Sequence, residues 1–154
     1  MNKLLRFGFI AAAMATMAGC TGNKVYDKYQ HTLISGWEKN DILTFSVPGV
    51  KASGTYSPEL MLRINGSYPF MGITMIVEQR MFPSMETRTD TLKCNLIDDK
   101  GNTEGQGLSY YQYSFPIPKL QLTAGDSLQV SIRHDMKREI LPGISDVGYS
   151  LSLH

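Results

Sequence analysis

The chain is poor in the residues that carry chemistry: 154 residues hold two cysteines, three histidines and one tryptophan. Two cysteines exclude a disulfide framework and allow a single bridge at most. His31, His134 and His154 are scattered, with no His-Glu-x-x-His pair. His134, at the end of an alternating segment, reads as a hydrogen-bonded polar residue rather than a metal ligand. No Gly-x-Ser-x-Gly elbow exists: Gly107-Leu108-Ser109 runs into tyrosines and Gly143-Ile144-Ser145 into Asp-Val. GNTEGQG (101–107) lacks the Lys-Ser/Thr of a phosphate loop and opens no helix, so it fits a hairpin with a bulge better. A formal net charge of +1 leaves no basic patch for nucleic acid. Internal repeats and low-complexity tracts are missing as well.

One apolar run is present, and it opens the chain. Lys3 and Arg6 precede FGFIAAAMATMA, then Gly19 and Cys20. A basic start, about a dozen apolar residues and small residues before a cut describe a secretory signal peptide. The run falls short of the roughly 20 residues that span a bilayer. Met17-Ala18-Gly19-Cys20 resembles a bacterial lipobox, cut between Gly19 and Cys20 so that the acylated cysteine becomes the new N-terminus. Cys20 is then used by lipid, such as palmitate, and Cys94 is left alone. In DTLKCNLI, Leu92, Cys94 and Leu96 alternate with polar neighbours, which points the thiol into a core as a small hydrophobe. A reactive thiol would want an electropositive, partly exposed site instead.

Removing residues 1–19 takes Lys3 and Arg6 from the 15 basic residues and nothing from the 14 acidic ones, leaving 13 against 14. Residues 20–24 then form a short polar tether, and 25–154 make one domain, enough for a single core. Strand patterns recur along it. Leu60, Leu62 and Ile64 alternate with Glu59, Met61 and Arg63; Leu128, Val130 and Ile132 with Gln129, Ser131 and Arg133; Val147, Tyr149, Leu151 and Leu153 with Gly148, Ser150 and Ser152. Each predicts a strand with one dry and one wet face. ILTFSV (42–47), GITMIVEQ (72–79) and SYYQYSF (109–115) add further strands. Asn65-Gly66 suits a two-residue hairpin, and Asp98–Asn102 a charged turn. Around Asp135–Glu139 the pattern fits either one helical turn or a continued strand. Eight or so short strands predict an all-β fold: a single antiparallel β-sandwich, with the jelly roll as one arrangement that fits.

Weaker chemical signals remain. Asp98, Asn102 and Glu104 supply oxygens as a calcium loop would, but lack EF-hand spacing. Trp37 with Tyr110, Tyr111 and Tyr113 suggests an aromatic platform for a glycan, although alternate tyrosines of a strand face opposite sides. Six methionines of the mature chain (61, 71, 75, 81, 85 and 136) read as packing with a sticky surface rather than a soft-metal site. The residues therefore point to a non-catalytic interaction module without metal or cofactor. Glycan binding through the aromatics is the alternative, and an enzyme using a carboxylate pair such as Asp98 and Glu104 comes last.

VYDKYQ (25–30), WEKND (37–41), YPFMGITMIVE (68–78), DTLKCNLIDDKGNTEGQG (90–107) and DMKREILPGISDVGYSL (135–151) follow the lipobox in that order. Together they resemble the GldH family, the gliding-motility lipoproteins of the Bacteroidota, over essentially the whole mature chain. The resemblance implies an envelope lipoprotein tied to a gliding machinery associated with type IX secretion, with no catalytic activity and no cofactor. It would also put a bulkier apolar residue near Thr103-Glu104, where this chain is polar. Surface-exported lipoproteins of this phylum often carry acidic residues after the anchor cysteine. Thr21-Gly22-Asn23-Lys24 has none, which favours the outer membrane with the domain facing the periplasm.

Overall fold

The computed structural model describes residues 23–105, 107 and 110–154. The expected signal peptide at 1–19 and the expected lipidation site Cys20 lie outside the described residues. Eleven strands form: β1 (Lys24–His31), β2 (Trp37–Glu38), β3 (Leu43–Val47), β4 (Gly54–Asn65), β5 (Gly72–Phe82), β6 (Thr87–Asn95), β7 (Tyr110–Pro116), β8 (Leu120–Leu122), β9 (Ser127–His134), β10 (Ile140–Leu141) and β11 (Ile144–Leu153).

They pair as nested antiparallel couples. The β5–β6 hairpin is innermost, β4–β7 encloses it, β3–β9 encloses those, and β1–β11 closes the set. The couples alternate between two sheets, ordered β1-β11-β4-β7 and β3-β9-β5-β6. One long hairpin rolled on itself in this way is a jelly roll. Strand β4 is matched by β7 over its second half and by β8 over its first. Between those two, Pro116 and Pro118 flank Ile117, whose amide donates to the Pro58 carbonyl at 2.9 Å. Prolines lack a donor, so the free edge of the sheet is interrupted there.

The alternation of the sequence becomes the inner faces. Leu60, Leu62 and Ile64 of β4 meet Ile73, Met75 and Val77 of β5 and Leu128, Val130 and Ile132 of β9 in one buried cluster. A polar tie crosses it: the Tyr149 hydroxyl donates to Gln79 Oε1 at 2.7 Å, both residues buried. Desolvation pushes the Tyr149 pKa upward, so the phenol stays neutral and serves as donor.

Three expectations are corrected. Met61, Gly148 and Ser150, expected on wet faces, are buried. On the outer side of β11 the Tyr29 ring and the Met61 methyl close over Gly148, where an added Cβ would lie 2.8 and 2.9 Å from them. Arg63 lies over the same Tyr29 ring at 3.8 Å. Asn65-Gly66 is not a two-residue hairpin, because β4 and β5 belong to opposite sheets and both send apolar rows inward. Asn65 instead turns the corner, its side-chain oxygen accepting from the Ser67 amide at 2.9 Å. Residues 135–139 form neither a helical turn nor a longer strand; they bend between β9 and β10.

Candidate functional site

Strand β1 fixes the polarity of the sandwich. Lys24 pairs with Ser152 and His31 with Asp146, so the chain enters at one end and β1 delivers it to the other. At that far end lie four connections: 32–42, 66–71, the described residues 96–105 and 107, and 135–143. WEKND, the start of YPFMGITMIVE, the Gly-rich half of DTLKCNLIDDKGNTEGQG and the start of DMKREILPGISDVGYSL occupy them in turn. The stretches that carry the family resemblance thus converge in space.

Two of them build each other. β2 pairs with β10, Trp37 opposite Leu141 and Glu38 opposite Ile140. The Trp37 indole is fully buried, donates to the Asp41 carbonyl at 2.9 Å and packs edge-on against His134. The Lys39 ammonium donates to the Met136 carbonyl at 2.9 Å. His134 is also buried: Nε2 lies 3.2 Å from the Trp37 carbonyl and Nδ1 accepts from the Met136 amide at 3.3 Å. Burial lowers its pKa, which keeps the ring neutral and in this structural role. Leu-Pro-Gly-Ile then carries the chain across the end, where the Gly143 carbonyl accepts from the Asn65 amide at 2.8 Å. Ser145 Oγ donates to the Arg63 carbonyl at 3.2 Å, and Asp146 pairs with His31.

Around this plug the end is apolar and concave. Leu33, Ile34, Met71, Tyr110 and Ile140 are exposed there, Ile34 completely. Three adjoining concavities run across it. One of about 530 Å³ lies between Leu33, Ile34, Tyr110 and Ile144. A narrower one of about 260 Å³ lies between Tyr68, Phe70, Leu96, Ile97, Tyr111 and Tyr113 and shares Asn65 with the first. A third, of about 440 Å³, shares Ile97 with the second and is lined by Met71, Asn95, Asp98, Asp99 and Glu104. The turn 98–102 is held from within: Asp98 accepts from the Asn102 amide at 2.8 Å, the Asn102 side chain at 3.2 Å and the Lys100 amide at 2.9 Å. The Asn102 bonds depress the Asp98 pKa, and the carboxylate is committed to the turn. The Asp99 and Glu104 carboxylates make no such bonds among the described residues. Among the described residues no group of three or more His, Cys, Asp or Glu side chains is placed to hold a metal.

The aromatic residues do not form one platform. Tyr110 is 59% exposed on the rim, Tyr111 is half-buried in the narrow concavity, and Tyr113 is buried. The Tyr113 hydroxyl donates to the Leu96 carbonyl at 3.0 Å and meets Thr103 Oγ1 at 2.7 Å, so a polar Thr103 serves this chain where the resemblance implies an apolar residue. Trp37 shows no face to solvent, because β10 and His134 wall it in. Tyr68, Phe70 and Ile97, which no sequence pattern marks as site residues, line the concavity. Cys94 is buried in the core, and burial pushes its thiol up to about 12. Met75 and Met81 are core residues and Met61 is buried on the outer face beside Gly148, while Met71 and Met85 sit exposed near opposite ends.

Since the indole is structural, Trp37→Phe is expected to lower stability by about 1–3 kcal/mol through lost volume and a lost hydrogen bond. Urea unfolding checks this. Emission from the sole tryptophan should be blue-shifted, poorly quenched by acrylamide and unchanged by added oligosaccharide; quenching by a sugar would contradict the burial.

The chain has counterparts among known proteins. Among solved structures it is similar to a family GH115 4-O-methyl-alpha-glucuronidase, with 18% identity and a TM-score of 0.44 over 85% of this chain and 18% of that one. It is also similar to a family 35 carbohydrate binding module from Clostridium thermocellum, with 8% identity and a TM-score of 0.40 over 81% and 89%. Likeness at this level carries no functional argument. In sequence it is 27% identical to the gliding motility lipoprotein GldH of Flavobacterium johnsoniae, over 97% of each chain. The profile of the GldH lipoproteins matches residues 24–151, the whole sandwich from β1 to the last strand, and the chain belongs to the GldH lipoprotein family.

Proposed function

We propose that this is a non-catalytic gliding-motility lipoprotein, held by lipid on Cys20 after cleavage behind Gly19. Residues 20–24 are its tether and 25–154 its one folded domain. It sits in the outer membrane facing the periplasm and serves as an accessory subunit of the gliding machinery associated with type IX secretion. The observation that carries the docking role is the placement of its exposed apolar residues. Leu33, Ile34, Met71, Tyr110 and Ile140 gather at the end away from Lys24, around a concave surface. Scattered exposed hydrophobes are ordinary; a cluster around a cleft marks an interaction surface. Its position opposite the tether turns it away from the lipid and toward a protein.

Crosslinking in intact cells of the native host, followed by purification through a C-terminal tag and mass spectrometry, tests this. His154 is exposed and lies at the tether end, so the tag leaves the cleft free. Enrichment of gliding or type IX secretion components is expected. Recovery of no protein partner, with binding to a glycan array instead, would overturn the docking role in favour of the rim tyrosines.

A further inference from the structure

The cleft is one-sided in charge as well as apolar. Asp98, Asp99 and Glu104 line its third concavity, and among the described residues no lysine or arginine lines any of the three. Lys100, in the same turn, lies outside the lining. Asp98 is used by the turn's own amides, which leaves Asp99 and Glu104 free to meet a ligand. Beside them, Ile97 is shared with the narrow concavity, whose walls are Tyr68, Phe70 and Tyr111. About 260 Å³ is room for one large side chain rather than a folded element.

We propose that the cleft binds a segment of a partner protein that seats one large apolar side chain between Tyr68, Phe70 and Tyr111 and sets a lysine or arginine against Asp99 and Glu104. The proposal rests on the docking role above and adds the chemistry of the partner. Two features argue for this occupant. Charge complementarity selects a basic flank, and the apolar walls select a buried anchor beside it. The position argues against the bilayer as occupant. Lys24 follows Cys20 by four residue steps, a reach of at most about 14 Å. Strand β1 then carries the chain eight residues the other way, about 26 Å. The cleft therefore faces away from the lipid surface in which the anchor sits.

The test uses full-length, lipidated protein in native cells, with p-benzoylphenylalanine placed at Met71, at Tyr110 or at Met85. Met71 stands beside Asp99 and Glu104, Tyr110 on the other rim, and Met85 at the opposite end with similar exposure. Protein adducts are expected from Met71 and Tyr110 and not from Met85. The partner peptide joined at Met71 is expected to carry a large apolar residue with lysine or arginine within about three positions. Asp99→Lys with Glu104→Lys should cut the Met71 adduct about tenfold at an unchanged melting temperature. Should that pair fail to fold, Asp99→Asn with Glu104→Gln reads the same contact with a smaller drop. An acidic or uncharged partner peptide, or an adduct indifferent to both charge variants, overturns the basic partner while Tyr110 adducts keep the docking role. Lipid adducts alone, or no adducts from either rim, overturn both.

Discussion

Gly143→Val is expected to leave no folded protein at 37 °C, while Gly101→Val is tolerated. Both glycines have φ of +82°, a region that β-branched residues avoid. The backbone conformation is therefore matched, and what differs is the surroundings. A Cβ on Gly101 meets nothing within 4 Å. On Gly143 it would sit 2.4 Å from the Tyr68 amide nitrogen and 2.8 Å from both Ser67 C and Tyr68 Cα. All three are backbone atoms of the β4–β5 corner, and the Asn65–Gly143 hydrogen bond holds that corner in place. No rotamer change relieves such contacts, so β11 or the corner must move.

The alanine pair puts a magnitude on the difference. Gly101→Ala should lose about 1 kcal/mol from conformational strain alone. Gly143→Ala adds the clash and should lose roughly 4 kcal/mol or more, a size that single substitutions reach only through such mechanisms. For a domain of this length 1 kcal/mol corresponds to roughly 3–6 °C in melting temperature. The expected gap between the two variants is thus about 9–18 °C by thermal melts monitored by circular dichroism. Equal melting temperatures would show that the corner yields and that the close approach is not what holds this end together.

The same region shows where the sequence could be read and where it could not. Period-two alternation located the strands around Leu60–Ile64, Leu128–Ile132 and Val147–Leu153, because a half-buried strand writes its geometry into residue order. Cys94 followed from the same pattern. Alternation says nothing about what covers the outer face, so the burial of Met61, Gly148 and Ser150 there was not visible. The local code also failed at Asn65-Gly66, where a turn dipeptide serves a crossover between sheets rather than a hairpin; sheet membership is a long-range property. Trp37 was misjudged for a related reason. A lone aromatic before a charged run looks like a surface group until β2 is seen to pair with β10, about 100 residues later. The cleft itself required the fold, since its walls come from the 66–71 and 96–105 connections and from β7. Sequence supplied the residues, and nested pairing brought them to one end.

Cys20→Ala is expected to separate attachment from folding altogether. Cys20 precedes β1, and the described domain begins its hydrogen bonding at Asn23, whose carbonyl accepts from the Leu153 amide at 2.8 Å. The hydrogen bonds of the described residues hold the sandwich from Asn23 onward, so the purified domain of the variant should melt within about 1 °C of the wild type, as surface changes do. Its location should change completely. Each acyl methylene placed in lipid contributes about 0.8 kcal/mol, and several chains together make attachment effectively permanent. Without them the variant should leave the membrane fraction and incorporate no labelled palmitate in the native host. Loss of the anchor should also weaken capture at the cleft, though Asp99, Glu104 and the apolar walls are untouched. On the proposed anchoring, the short tether of residues 20–24 confines the domain to a thin layer at the membrane, and confinement raises its effective concentration for any partner held in the same envelope. A long Gly-Ser insertion after Asn23 should then reproduce part of the capture defect while leaving membrane attachment intact. If the cysteine variant stays membrane-bound without palmitate, an apolar surface rather than Cys20 holds the protein. The exposed cluster at Leu33, Ile34, Met71, Tyr110 and Ile140 would then have to face lipid instead of protein.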